Sequence, residues 1–513
     1  MIAPEFRCRR KYRMANDVLL GIDLGTSVLK VAAFDARTGA AQASASVRLP
    51  VCAAADGTRE QDPAAVDRAL RRATASVRRW LGRAWDRVAG VGLAAQGGSA
   101  IIADRETGQA HTPMQLWNDT RPLHLLPGIA ARKRAGYWQR LSYLGDPGAG
   151  LARMQWLRKR YPRLFHDGNI YVGAGEYIFF KLTGTWRQDA GNALQIGCYN
   201  ARSHRLAAGP LRLVDVPASF VSPMRREHET RPVSHAGAAL LGLPEGIPAA
   251  GPYLDHEAGY LSAVGSGSRP LQCSLGTAWV GNFILETGAP PDGLNLVLPS
   301  PVGPGSLVVR VMAAGTASWD WGLEALLGAK GAKALARAET VFREELLPPA
   351  GLVSLPWLAR PNVFDAEAFG NGAFMGVNTH TTRAEMLRAL VAGMTFELAH
   401  VFAPVKESGV VDRVVLGGGA SNGWYFRKLL AGLFAPLPVF HLEEGETPGA
   451  RGALYAFSHK AARCRTRRVR PPAKALRARI LQGYEQYVRV CETLARGLPD
   501  GGFFHGYERR KKR

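Results

Sequence analysis

Several absences narrow what this sequence can be. No apolar run approaches the roughly 18 residues that a membrane-spanning helix needs, which excludes a helical membrane protein. There is no Gly-Lys dipeptide, which excludes a Walker A phosphate loop. Cysteine is sparse: Cys8, Cys52, Cys198, Cys273, Cys464 and Cys491 form no Cys-x-x-Cys pair. That supports neither a zinc ribbon nor a disulfide scaffold, and a reducing cytoplasm fits best. A clean secretory signal is missing too. Arg7, Arg9, Arg10, Lys11 and Arg13 precede an apolar stretch broken by Asp17 and Asp23, and Met14 is a candidate start. Acid is also in short supply, with 42 Asp+Glu against 65 Lys+Arg.

What is present is globular. The 513 residues are 47% hydrophobic and 21% charged, enough chain for several cored domains. The formal charge of +23 is concentrated. Residues 1–13 carry a net +4, residues 459–479 a net +9 and residues 509–513 a net +5. The body is only mildly basic. Segment 459–479 lacks the interleaved aromatics of a base-stacking surface, so nucleic acid is disfavoured as a partner. It reads as a solvated loop and helix face, with polyanion binding as the other option.

Periodicity gives an α/β chain. Val18 to Ile22 and Lys30 to Phe34 read as a hairpin around a polar tip. Ala64 to Arg83 reads as a helix with Val66, Leu70, Val77 and Leu81 on one side and Pro63 near its start. Val88 to Leu93 is a buried strand. A Gly/Pro-rich joint at 246–252 is followed by a second strand-and-Gly-Thr turn, Leu271 to Thr277. Val410 to Leu416 reads as a strand entering Gly417-Gly-Gly419, and Trp424 to Phe434 as a helix. Two similar halves facing a cleft are expected.

The turns carry the candidate chemistry. Asp23-Leu-Gly-Thr-Ser27 combines a carboxylate for a hydrated divalent metal, a glycine that admits an anion to the backbone and two hydroxyl donors. Leu275-Gly-Thr277 repeats the logic. Gly417-Gly-Gly-Ala-Ser-Asn422 suits a nucleotide against bare backbone. It also satisfies Gly-x-Ser-x-Gly, the nucleophile elbow of a hydrolase using Ser421, with Glu443, Glu444, Glu446, His459 and His505 downstream. No His-Gly-Gly segment supports that. His256-Glu257 starts like a zinc-binding helix, but Tyr260 stands where the second His belongs. Asp255 heads a small-residue stretch, as a base or as a simple N-cap.

In this order, these motifs resemble the FGGY carbohydrate kinases, the family of xylulokinase and glycerol kinase. Gly21 to Lys30 is similar to their first phosphate motif, and Glu60-Gln-Asp-Pro63 to the segment before their first long helix. Val91 to Gln96 and Leu116-Trp-Asn-Asp-Thr-Arg121 resemble their sugar-contacting strand and W-x-D-x-R segment. The approach to Asp255 resembles that to their catalytic Asp. Leu275-Gly-Thr277, Gly372 to Gly376, Gly417 to Asn422 and Glu446 to Ala450 complete the series over about 17–460.

The resemblance implies two ribonuclease-H-like α/β domains of the actin–hexokinase superfamily flanking an ATP cleft. Residues 17–250 and 251–460 would form them, with a basic extension at 1–16 and a basic segment and C-terminal helix at 461–513. It implies Mg²⁺ and ATP, with phosphoryl transfer to a ketose or polyol. Asp255 would be the base and Asp23 the metal ligand. Gly25, Thr26, Ser27, Lys30, Gly276 and Thr277 would hold phosphates, and Gly418, Gly419 and Asn422 the adenosine. Gln96, Gly97, Gly98, Trp117, Asn118, Asp119 and Arg121 would face the substrate. The resemblance leaves room for a homodimer.

Departures temper this. Xylulokinases carry Met-His and glycerol kinases Arg-Glu after the position of Gln96. Gly97-Gly98 here predicts a roomier pocket and an atypical substrate. Ala278 stands where a Ser is usual. Arg451 and the basic run from Lys460 put the normal closing of the second domain in doubt. A non-catalytic sugar- or polyanion-binding relative is therefore the competing reading. Because the basic ends lie outside the chemical motifs, truncation of residues 1–13 and 506–513 is expected to leave sugar phosphorylation intact. A large loss of turnover in that protein would show that the tails belong to the machinery.

Overall fold

The computed structural model describes residues 17–265, 267–276, 278–288, 290, 295–312, 315–358, 372–443 and 445–497. The basic ends, Glu444, His505 and Thr277 lie outside the described residues. The expected hairpin forms. Strand β1 (Val18–Leu24) pairs antiparallel with β2 (Val28–Asp35), setting Asp23 opposite Lys30, and β3 (Ala41–Arg48) extends the meander. Its apolar run is nearly continuous because β1 is buried on both faces. Helix α1 (Pro63–Leu81) starts where Asp62 accepts the Ala64 N–H and Pro63 takes the first turn, and it buries Val66, Leu70 and Val77.

Strand β4 (Val88–Ala95) runs parallel to β1. Helices α2 (Ala149–Arg160), α3 (Ala174–Thr183) and α4 (Ala190–Ile196) then precede β5 (Thr230–Pro232) and β6 (Pro248–Leu254). The first sheet has the order β5-β6-β4-β1-β2-β3. Helix α5 (Asp255–Ala263) leaves β6 directly and packs against both sheets of the molecule.

The second sheet repeats the plan, with three parallel strands in its middle and antiparallel neighbours. Its strands are β7 (Pro270–Leu275), β8 (Trp279–Leu285), β9 (Asn295–Pro299), β10 (Ser306–Val311), β11 (Arg413–Gly417), β12 (Val439–Leu442) and β13 (Thr466–Arg468). Their order is β9-β10-β8-β7-β11-β12-β13. Strand β11 starts three residues later than its β-branched run suggests. Val411 is buried in the core, and pairing with β7 begins only at Pro270 opposite Arg413. Helix α6 (Arg383–Val401) and helix α7 (Trp424–Phe434) cover one face. The fold is thus two α/β domains with mixed sheets, as expected.

The basic segment, expected as a solvated loop and helix face, contains a short strand as well as the helix. Residues 466–468 form the edge strand β13, with Arg467 and Arg468 exposed. Helix α9 (Lys474–Gly497) follows and buries Ile480, Tyr487 and Cys491 against the second core. Arginines on an exposed edge discourage further strand addition. Among the described residues, no helix is long and apolar enough to cross a membrane.

Helix α8 (Pro448–Gly452) ties the halves together. A methyl group at Gly21 of β1 would overlap the Ala450 carbonyl, one at Gly92 of β4 the Ala453 carbonyl, and one at Gly452 the Ala258 carbonyl of α5. Glycine is required there by close backbone approach rather than by φ. Gly452→Val and Gly21→Val are each expected to lower the unfolding free energy by ~1–3 kcal/mol or more. Gly128→Ala, whose methyl meets open space, should stay within ~0.5 kcal/mol. Urea unfolding measures all three.

Candidate active site

Strand register builds the site. Asp23 lies opposite Ala94 across β1 and β4, and Ala94 opposite Tyr253 across β4 and β6. Gln96 and Asp255 therefore leave the sheet close to Asp23, at the carboxyl edge of three adjacent parallel strands. Open α/β sheets bind ligands at that edge. Burial pushes the Asp23 carboxyl up to about 6, against the opposing charge of Lys30 and with the help of Asp255. No described residue donates a hydrogen bond to it, and the helix backbone at Gly449 lies directly against it. Asp255 is the first residue of α5. Its carboxylate accepts only the N–H of His256, at 2.9 Å, so it does not cap the helix through the second or third turn residue. The side chain is 38% exposed. The His256 imidazole stands 4.0 Å away.

Thr26 is the junction of the first domain's turns. Its hydroxyl donates to Gln96 Oε1 at 2.8 Å and accepts from Trp117 Nε1 at 3.0 Å, while its carbonyl accepts from Gln61 Nε2 at 2.6 Å. Gly25 closes the turn by donating to the Val28 carbonyl, and Ser27 stays exposed. Asp119 is fully buried and holds Arg121 at 2.7 Å and the Arg59 N–H at 2.9 Å. Arg121 also pairs with Glu60 and lies 4.7 Å over the Trp156 ring. This cluster braces the loop that carries Trp117 and Asn118.

Gly97 and Gly98 follow Gln96, and sequence reasoning missed the two side chains that meet them. Arg153 of α2, 2% exposed, donates to the carbonyls of Gly98 and Trp117. Gln195 of α4 fills the room beside both glycines. A methyl at Gly97 would overlap Gln195 Nε2, and one at Gly98 would overlap Gln195 Oε1. The expected roomier pocket is therefore corrected: a side chain distant in sequence occupies the space. Neither residue belongs to a local motif that could have signalled it.

In the second domain, Ser274 pairs with Gly417, so Gly276 and Gly418 leave β7 and β11 side by side. Gly418 has φ +88°, and a methyl there would lie 2.5 Å from the Leu275 carbonyl carbon and 2.8 Å from Gly276 N. A methyl at Gly419 would meet nothing within 4 Å, so this backbone is bare and open. Arg427 of α7 donates to the carbonyls of Ser421 and Asn422 at 3.0 and 3.1 Å. Ser421 itself is 4% exposed, and its hydroxyl donates to the Gly418 carbonyl at 2.7 Å. It is a turn-locking serine, which overturns the hydrolase reading. Among the described residues, no group of three or more His, Cys, Asp or Glu is placed to hold a metal.

This geometry agrees with what the chain is similar to. Residues 18–262 match the model of the FGGY family of carbohydrate kinases, N-terminal domain, and residues 271–461 that of the C-terminal domain. The chain belongs to the FGGY family of carbohydrate kinases. It is an ATP-using phosphotransferase with an alcohol group as acceptor. It is 24% identical to the xylulose kinase of Staphylococcus epidermidis over 86% of this chain and 88% of that protein. It is 26% identical to the glycerol kinase of Alkalilimnicola ehrlichii over 85% and 89%. The crystal structure of the xylulose kinase from Rhodospirillum rubrum superimposes with a TM-score of 0.81 at 22% identity, covering 93% of this chain and 99% of that one.

Beneath the kinase site lies a buried polar layer. Asp189 caps α4 by accepting the Asn192 N–H at 2.9 Å. Asn192 Nδ2 donates to Glu176 of α3 at 2.6 Å. Burial pushes the Asp189 carboxyl up to about 7, with the charge of Glu257 adding, and the Glu176 carboxyl up to about 8. Glu257 is itself held by Arg225 at 2.8 Å. A carboxyl raised on folding binds its proton more tightly in the folded state, so its contribution to stability is full below its unfolded value near 4.5 and is lost as pH rises through about 8. The stability difference between wild type and Glu176→Gln is therefore expected to move in favour of the variant from pH 5 to pH 8. Urea midpoints across that range check this, and a difference independent of pH would refute it.

Proposed function

We propose that this kinase transfers the γ-phosphoryl group of ATP to a hydroxyl of a ketose or polyol, with Asp255 as the general base. The observation that carries the reading is the Asp255 carboxylate, accessible and almost without partners, beside Asp23 at the shared carboxyl edge of β1, β4 and β6. ATP supplies the phosphoryl group: the acceptor oxygen bonds to the γ-phosphorus, the bond to the β–γ bridging oxygen breaks, and the acceptor proton passes to an Asp255 oxygen. Such transfer depends on positioning and charge stabilisation more than on covalent help.

The remaining roles are proposed from the family resemblance. Gly25, Thr26, Ser27 and Lys30 in the first domain, and Gly276 with Thr277 (the latter outside the described residues) in the second, would cradle phosphates. The open backbone at Gly418 and Gly419, with Asn422 braced by Arg427, suits the adenosine. Asp23 fits a hydrated Mg²⁺, because no described residue donates a hydrogen bond to its carboxylate. Bound there, the ion would offset phosphate charge. Gln96, Gly97, Gly98 and Trp117 would face the acceptor, with Asn118, Asp119 and Arg121 in the bracing loop. The relatives named xylulose kinase and glycerol kinase support a small polyhydroxy acceptor. We place the protein in the cytoplasm. Five free cysteines among the described residues support that.

A screen of ketoses and polyols with Mg-ATP tests the reading. Asp255→Asn is expected to lose about 10²–10⁴-fold in kcat on the best acceptor, with ATP affinity retained. Turnover near the wild-type rate in that variant would sink the proposed base. ATP binding without turnover on any acceptor would favour a non-catalytic, sugar-binding relative.

A further inference from the structure

Gln195 stands out among the groups that the family motifs do not touch. It comes from the last turn of α4, far in sequence from every phosphate or sugar motif, and is 8% exposed. Its amide spans the positions where side chains at residues 97 and 98 would begin, Nε2 against one and Oε1 against the other. A methyl at Gly98 would also lie 3.3 Å from the Trp117 Cβ. No described residue forms a hydrogen bond with this amide. Its neighbours are partly engaged, with Gln96 Nε2 and Arg153 Nε still without a partner among the described residues. Arg153 is held by the carbonyls of Gly98 and Trp117, and Trp117 Nε1 by Thr26. Gln96 Oε1 is held by Thr26 as well. Beside the two glycines, Gln195 is left with both a donor and an acceptor to offer.

The support beneath it belongs to a short, buried helix, with six of its seven residues out of solvent. Asp189 caps α4, and Glu176 grips Asn192 one turn before Gln195. At the other end, the backbone of Gln195 and Ile196 is packed so closely against Gly150 of α2 that a methyl there would overlap it. The amide is therefore presented from a fixed backbone rather than from a loop.

We propose that Gln195 is the specificity-determining residue of this kinase, replacing in space the side chains that Gly97 and Gly98 lack. This rests on the carbohydrate kinase reading above. A primary amide carries no charge and offers one donor group and one acceptor. It is suited to a hydroxyl, or to adjacent hydroxyl and carbonyl oxygens, of a neutral acceptor. It brings no charge to hold a carboxylate, and the Arg153 guanidinium beside it is 2% exposed and turned to the Gly98 and Trp117 carbonyls. The acceptor class is thus a neutral ketose or polyol rather than a sugar acid.

The test compares wild type, Gln195→Ala and the isosteric Gln195→Glu on a panel of neutral ketoses and polyols and their aldonate counterparts. Both variants are expected to raise KM for the best neutral acceptor about ten-fold or more and to change the ranking of acceptors. The KM for ATP and the thermal midpoint should stay at wild-type values. If every acceptor falls by one common factor, or the ranking is unchanged, Gln195 is a packing residue and the proposal is overturned. A wild-type preference for aldonates overturns it too. If wild type phosphorylates nothing on the panel, the kinase reading of the acceptor fails and this inference falls with it. Turnover by wild type with unaltered ranking in the variants rejects the Gln195 proposal alone.

Discussion

The structure depends on backbone touching backbone at its centre. Helix α8 belongs in sequence to the second half, yet it lies on β1 and β4 of the first. It can do so because Gly21, Gly92 and Gly452 present no side chain at the crossing. A single Cβ at any of them would meet a carbonyl. Interiors packed this tightly do not yield by small deformation. Helix α8 must therefore lie where it does, with Gly449 against the Asp23 carboxyl and Gly452 against α5, whose first residue is Asp255. Strand register sets two carboxylates from distant parts of the chain near one another, and a contact that involves no side chain at the glycines holds the helix against both.

Thr26 extends that order outward. One hydroxyl joins Gln96, which follows β4, to Trp117, which sits on a separately braced loop. The turn suited to phosphate and the segment suited to the acceptor are thus one hydrogen-bonded unit. A shift in either is felt by the other, as a reaction governed by alignment requires.

Much of this was legible in the chain itself. The hairpin around Asp23, the helix after Pro63, the strand into Gly276 and the helix at 424–434 follow from period and turn chemistry, because each is decided locally. The family resemblance rested on the same local motifs. What escaped was decided by tertiary placement. Gln195 sits in Ala-Gly-Asn-Ala-Leu-Gln-Ile, a stretch with no pattern to mark its amide, and it matters only because α4 delivers it to two glycines a hundred residues away. Arg153 is one of many basic residues in sequence and a buried clamp in space. The charge at 459–479 hid the apolar residues, Ile480 and Tyr487 beyond it, that fasten the final helix.

Arg451 was an oddity in sequence and has a clear place in the fold. Its guanidinium is 1% exposed and paired with buried Glu446. It also donates to the carbonyls of Gly39 and Ala461 and stacks 4.3 Å over Phe34. Ser458 adds a bond to the Ala36 carbonyl at 2.6 Å. The turn after β2 is therefore clasped by the second half of the chain, and pulling it free would strand a charge in a dry interior. The clasp thus fastens the turn after β2 to the second half at a point separate from the glycine crossing on β1 and β4.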